Sequence, residues 1–304
     1  MPDPAASVLA KLKNKAAESG RSYQLCLQLF CQEEFLRRLE GSQYAENLVL
    51  KGGLFLYLLT NFDSRVTVDI DFLLRQQSNT PERMGEILEE IISGDTGNDF
   101  ITFEVKGISP ISVVKKYPGI SASIVAKIKN TRTWFSIDFG IGDVIVPHQE
   151  KRVLPTQLPD FAAPEVNTYS IETTIAEKLD AILSLMEFSS RMKDYYDIYY
   201  LASKFDFDGA ILTESLRTTF RNRDRHYTVE QFERLTAFGA DNEMQKRWKA
   251  FTEKVGISTN DFGVVIEKIF GFLHESFKMA QSGKSYVMYW KENRWQDRGE
   301  DFGG

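Results

Sequence analysis

Asp69 and Asp71 interrupt an otherwise apolar run, Val66-Thr67-Val68-Asp69-Ile70-Asp71-Phe72. Carboxylates at i and i+2 of an extended strand project from one side and can reach a single hard cation. Magnesium is commonly held this way, by one or two carboxylates with water and substrate phosphates completing the octahedron. A third aspartate, Asp138, breaks the strand-like run Trp134-Phe135-Ser136-Ile137-Asp138-Phe139. A lone buried carboxylate is costly unless paired or metal-bound. Together with Asp69 and Asp71, Asp138 would supply the oxygen cluster that two magnesium ions about 3.5–4 Å apart need to assist in-line displacement at phosphorus.

Phosphate chemistry also needs a place for the phosphates. Gly52 and Gly53 stand between the strand-like Asn47-Leu48-Val49-Leu50-Lys51 and an apolar helix at residues 54–59. A glycine turn there brings backbone N–H groups and the positive end of a helix to an anion, although a simple tight turn explains Gly-Gly equally well. Arg65 could contact a phosphate or make a structural ion pair. Lys178, in Ala176-Glu177-Lys178-Leu179, could balance a triphosphate or be an ordinary helix lysine. Arg191, Asp194 and Asp197 are spaced by three and share a helix face, from which they could bridge to Lys178 or act on substrate. Asp143 reads as a turn residue.

The elements that must carry these residues change character along the chain. Up to about residue 40 the apolar spacing is helical. Residues 65–75 alternate as a half-buried strand, a polar helix follows at 81–92, and strands are expected at 100–105, 120–129 and 133–139. Residues 147–164 hold four prolines, Pro147, Pro155, Pro159 and Pro164, and read as a surface connection between lobes. Beyond it the pattern is helical. Ser170 is placed to cap a helix whose stripe is Ile171, Ile175, Leu179, Ile182, Leu183 and Met186, and further helices are expected from about 191 and at 211–221, 229–238, 242–255 and 261–280. The expected class is α+β: a mixed-sheet lobe over 1–165 and a helical lobe over 166–304.

Composition narrows the functional classes. The chain has 304 residues, 42% hydrophobic and 26% charged, which excludes a disordered or fibrous protein. A net charge of −6 provides no protein-wide attraction for nucleic acid, so any basic surface is local. Arg217, Arg221, Arg223, Arg225, Lys246, Arg247 and Lys249 are the candidates. Cys26 and Cys31 are the only cysteines, and three histidines show no zinc spacing, so neither a disulfide framework nor structural zinc is expected. No apolar run approaches the roughly 18 residues of a membrane span. The opening Met1-Pro2-Asp3-Pro4 lacks the basic start of a secretory signal, and a cytoplasmic location is expected.

Taken in order, Leu50-Lys51-Gly52-Gly53, Arg65-Val66-Thr67-Val68-Asp69-Ile70-Asp71, Ala176-Glu177-Lys178-Leu179 and Arg191-Met192-Lys193-Asp194-Tyr195-Tyr196-Asp197-Ile198-Tyr199 resemble the AbiEii/AbiGii toxin family of nucleotidyltransferases. The likeness extends over about residues 45–225. It implies a DNA polymerase β-like nucleotidyltransferase lobe followed by a helical lobe, and the toxin of a bacterial toxin–antitoxin or phage-defence pair. It further implies Mg2+, a nucleoside triphosphate bound between the lobes, and transfer of a nucleotide to a 3′-hydroxyl, which in MenT-type members belongs to tRNA. The residues carried over are Asp69, Asp71, Lys178 and Asp194 as catalytic groups, with Gly52, Gly53, Arg65 and Thr67 as nucleotide contacts. Leu54 stands where many members have Thr or Ser, which removes one hydroxyl from the phosphate turn. A cognate antitoxin is implied, without direct contact being required. Two other functions fit the same residues: nucleotidylation of a protein hydroxyl, and a non-catalytic nucleotide-binding module.

Overall fold

The computed structural model describes residues 3–111 and 119–297. Two compact units emerge, Met1–Gly142 with Gln149–Tyr169, and Asp143–His148 with Ser170–Gly304. In the first, α1 (Pro4–Ser19) and α2 (Tyr23–Glu40) precede β1 (Leu48–Lys51), α3 (Gly52–Leu59), β2 (Ile70–Leu74) and α4 (Pro81–Ile92). Strands β3 (Ile101–Pro110), β4 (Ile120–Ile128), β5 (Thr131–Gly140), β6 (Glu150–Val153) and β7 (Glu165–Thr168) complete it. The described strands form a seven-stranded sheet of order β3-β4-β5-β2-β1-β7-β6. It is mixed: β2 runs parallel to β5 and β1 parallel to β7, while the other neighbours are antiparallel.

Local chemistry sets most boundaries. The side chain of Asp3 accepts from Ala6 N–H and Pro4 opens α1, which ends at Gly20 with φ 69°. Thr80 caps α4 ahead of Pro81, and Met84, Ile87, Leu88 and Ile91 form its buried stripe. Two expectations need correction. The alternation over 65–75 yields a strand only from Ile70, and Val68, expected to face inward, is 44% exposed. Residues 65–69 are held instead from α2, where the Gln28 and Gln32 side-chain amides both donate to the Val68 carbonyl at 2.7 Å. The proline-rich stretch is also more than a surface connection. It contains β6, which pairs with β7, and it buries Leu154, Gln157 and Leu158.

Helix α2 carries an interior charge network that apolar spacing does not reveal. Glu34 is fully buried and accepts from Arg37, Arg38, Thr96 and Asn98. Glu33 accepts the Gln157 N–H at 2.9 and 3.1 Å and lies 3.5 Å from Arg37. Burial outweighs those partners and pushes the Glu33 carboxyl from 4.5 up to about 8. The folded protein therefore holds a proton there that the unfolded chain releases above about 4.5, so this group's contribution is full below that pH and is lost as pH rises towards 8. Glu33→Gln is expected to flatten that part of the decline in urea-unfolding free energy between pH 5 and pH 8. Equal pH slopes for the two proteins would refute the assignment.

The second unit contains α5 (Ile171–Leu185), α6 (Met192–Lys204), β8 (Phe207–Asp208), α7 (Gly209–Asn222), α8 (Val229–Glu233), α9 (Asn242–Val255), α10 (Phe262–Gln281), β9 (Tyr289–Lys291) and β10 (Arg294–Gln296). Ser170 caps α5 by accepting the Thr173 N–H at 3.1 Å, and Ile175, Leu179, Ile182 and Leu183 are buried as the stripe requires. The expected helix over 229–238 divides into α8 and a 3-10 turn at Arg234–Ala240. The three-stranded sheet β10-β9-β8 was not expected. Its strands are two or three residues long, too short to show a period. Among the described residues, no helix is long and apolar enough to cross a membrane.

Candidate active site

In the first unit the site grows from three adjacent strands. β1 is a buried run, Leu48-Val49-Leu50, ending at Lys51, after which the chain turns into α3 at Gly52 with φ 71°. Left-handed φ alone favours glycine here. Packing requires it too, because a Cβ built on Gly52 would lie 2.1 Å from Asp71 Oδ2. One on Gly53 would lie 2.8 Å from Thr67 Oγ1. The glycine turn, Asp71 and Thr67 thus close on one another. Leu54 is buried in the core, so the hydroxyl beside the turn comes from Thr67.

Strand register aligns the charges. Lys51 pairs with Asp71 across β1–β2, and Asp71 pairs with Asp138 across β2–β5. Partners in register share a face, and neighbouring strands lie about 4.8 Å apart. The alternating burial of β5 keeps Asp138 off the core side occupied by Ile137 and Phe139. Asp69 lies just before β2 and is exposed, whereas Arg65, at the start of the same segment, is 7% exposed. Lys51 Nζ donates to the Tyr169 hydroxyl at 3.2 Å and lies 4.9 Å from its ring centroid.

The second unit holds the other expected residues. Lys178 on α5 is 9% exposed, and its Nζ donates to Asp197 Oδ2 at 2.5 Å and to Asp194 Oδ1 at 3.3 Å. The second oxygen of Asp194 accepts from Arg191 Nε at 2.5 Å. Of the two open roles for this triplet, the geometry shows the bridge to Lys178. Asp197 is the nearer partner.

Six of the seven basic residues named as a possible acceptor surface, all but Arg221, make contacts within the protein. Arg223 meets Asp143, Glu177 and Asp180, and Arg225 lies 3.5 Å from Asp180. Arg217, Lys246 and Lys249 pair with Glu214, Glu243 and Glu253. Arg247 donates to the carbonyls of Glu187 and Ser189. Asp143, read as a turn residue, is thus a member of a half-buried ion cluster. Lys51 and Tyr169 were missed as site residues. Lys51 directly precedes the glycine pair, a cue the sequence offers. Tyr169 is brought in by the parallel pairing of β1 with β7, which leaves no local trace.

Nucleotidyltransferases use a divalent cation, and the donor set can be tested against one. Among the described residues, no group of three or more His, Cys, Asp or Glu side chains stands where it could hold a metal ion unaided. Asp138 is therefore not counted as a third ligand of a single ion. Asp71, against the glycine turn, and Asp69, two residues before it, offer hard oxygens whose chemistry fits magnesium, since it ordinarily takes one or two carboxylates and leaves the rest to phosphate and water.

A nucleotidyltransferase fold is what the structural comparison shows. A crystal structure from H. pylori, described as a candidate nucleotidyltransferase, matches with a TM-score of 0.51 at 16% identity, covering 84% of this chain and 97% of the other. JHP933 from Helicobacter pylori matches with a TM-score of 0.49 at 14% identity, covering 86% and 94%. No curated protein matches the sequence. The family profile of the AbiEii nucleotidyl transferase toxins of type IV toxin–antitoxin systems matches residues 34–278. The chain belongs to this family and is a toxin nucleotidyltransferase; membership implies a nucleoside triphosphate substrate and an antitoxin partner.

Proposed function

We propose that this toxin transfers a nucleoside monophosphate from a nucleoside triphosphate to the 3′-hydroxyl of an RNA, with tRNA as the acceptor and magnesium as the cation. The observation that carries the reading is the closure of the Gly52-Gly53 turn onto Asp71, which sets a carboxylate directly beside exposed backbone suited to phosphates. Asp69 and Asp71 would hold magnesium, which when bound neutralises phosphate charge and polarises the reacting phosphorus. Gly52 and Gly53 bind the phosphates through their backbone, with the Thr67 hydroxyl beside them and Arg65 at the start of the same segment. Asp138, next to Asp71 in register, takes the proton of the acceptor hydroxyl. The acceptor oxygen bonds to the α-phosphorus as the bond to the β-phosphate oxygen breaks, and pyrophosphate leaves. Lys178, bonded to Asp194 and Asp197 within the second unit, is proposed as a further contributor to transfer. The residues lie in a chain for which a cytoplasmic location is proposed.

The test is incubation of the purified protein with magnesium and each α-labelled triphosphate, with either total tRNA or total protein. Label at RNA 3′ ends is expected. Label on protein alone would replace the RNA acceptor by a protein hydroxyl, and no incorporation from any triphosphate would favour a non-catalytic module.

A further inference from the structure

The sheet face that carries Asp138 continues along β5 as Ser136, Trp134 and Arg132, the three residues on its open side. Trp134 is 57% exposed; it pairs with Val125 of β4, ahead of the stretch from Ile137 to Gly140 in which β5 also pairs with β2. An indole left in water on a sheet face loses the benefit of burial, and beside cations its π-face is of the kind on which unpaired bases stack. Between Trp134 and Asp138 the neighbours are short: Ser136 pairs with Ser123, and Asp138 pairs with Ser121. These hydroxyl side chains leave a low floor leading from the tryptophan to the carboxylate. The length is about 13 Å, four residues at about 3.3 Å each.

Charge on this face differs from that on the helices of the second unit. Arg132 is exposed and pairs in register with Lys127. Lys127 and Lys106 share a single carboxylate, Glu104, whose pKa those two ammonium groups pull down to about 2. With Asp138 at its far end this face carries three cations, Arg132, Lys127 and Lys106, against two carboxylates, and the cations gather at the Trp134 end; around Arg223 three carboxylates meet two arginines.

We infer that the open face of β3–β5 is the seat of the acceptor strand: a single-stranded RNA 3′ end lies along it, with a base a few nucleotides from the terminus stacked on Trp134 and its phosphates beside Arg132 and Lys127. This rests on the RNA-acceptor reading above and specifies which surface positions the acceptor. An aromatic platform next to cations suits a single strand, because every base offers a π-face and the cations track the backbone. A duplex has its bases already stacked and offers the indole nothing comparable.

The test measures binding without nucleotide or divalent ion, by fluorescence anisotropy of an RNA hairpin with a single-stranded 3′ overhang and of the same hairpin with a blunt end. Trp134→Ala is expected to weaken overhang binding roughly tenfold, Trp134→Phe to restore most of it, and the blunt hairpin to bind both proteins alike. Arg132→Ala should lower the salt dependence by about one counterion. In turnover assays the KM for RNA should rise in Trp134→Ala while that for the triphosphate holds. Unchanged overhang binding in Trp134→Ala would overturn the assignment of this face. Loss of antitoxin capture with unchanged RNA binding would also overturn it, making the face a protein interface. If the native protein binds neither RNA, the RNA-acceptor reading itself fails, a result separable from failure of Trp134 alone.

Discussion

Asp71→Asn is expected to lower nucleotidyl transfer by at least about a thousandfold, corresponding to roughly 4 kcal/mol of transition-state stabilisation. Asparagine keeps the shape of the side chain and its fit against Gly52, where the Asp71 carboxylate already fills the space of a Cβ. It removes the charge that would hold a divalent cation and leaves an amide, a poor ligand for magnesium. Backbone pairing of Asp71 with Lys51 and Asp138 is unaffected. The variant should therefore melt within a few degrees of the native protein while losing transfer, measured as initial rates with α-labelled triphosphate. A loss of tenfold or less in a folded variant would remove Asp71 from the chemistry.

Lys178→Met should damage the fold as well as the reaction. The residue is 9% exposed, and its ammonium bonds both Asp194 and Asp197. Asp194 retains Arg191 as a partner when the lysine is lost. Asp197 loses the ammonium 2.5 Å from its Oδ2 while its own side chain is 1% exposed. Removing one member of a buried pair costs about 3–5 kcal/mol, chiefly through the charge left behind. Combining Lys178→Met with Asp197→Asn removes the carboxylate charge next to the lost ammonium and should recover most of the unfolding free energy in urea without recovering transfer. A Lys178→Met protein within about 1 kcal/mol of the native one would show that this pair is not supporting the fold. Transfer regained in the double variant would remove Lys178 from catalysis.

Much of the architecture was legible because its cues are local. The limits of α9 agree at 242–255, since Asp241 caps its start by accepting from Met244 N–H and Gly256 ends it with φ 68°. Thr80 and Pro81 set the start of α4 just as directly. Legibility failed where distant groups intervened. Residues 65–69 have the alternation of a strand, but two glutamines from α2 hold the Val68 carbonyl. Glu34, Arg37 and Arg38 have the spacing of a solvated helix face, yet they are buried, bonded to one another and to residues far along the chain, and Glu33 is buried beside them with its carboxyl held protonated.

The candidate site divides along the same line. Residue types and spacing alone left Gly52, Gly53, Asp69, Asp71, Lys178 and Asp194 open to ordinary structural roles, and it is the order of the family motifs that marks them as candidates. Spacing carries no information on which of them touch. The fit of Asp71 against Gly52, the alignment of Asp138 beside it, the Lys51–Tyr169 contact and the bonding of Lys178 to Asp197 arise from strand register and helix packing. Those are long-range contacts, set by which apolar faces bury together, and no short stretch of chain encodes them.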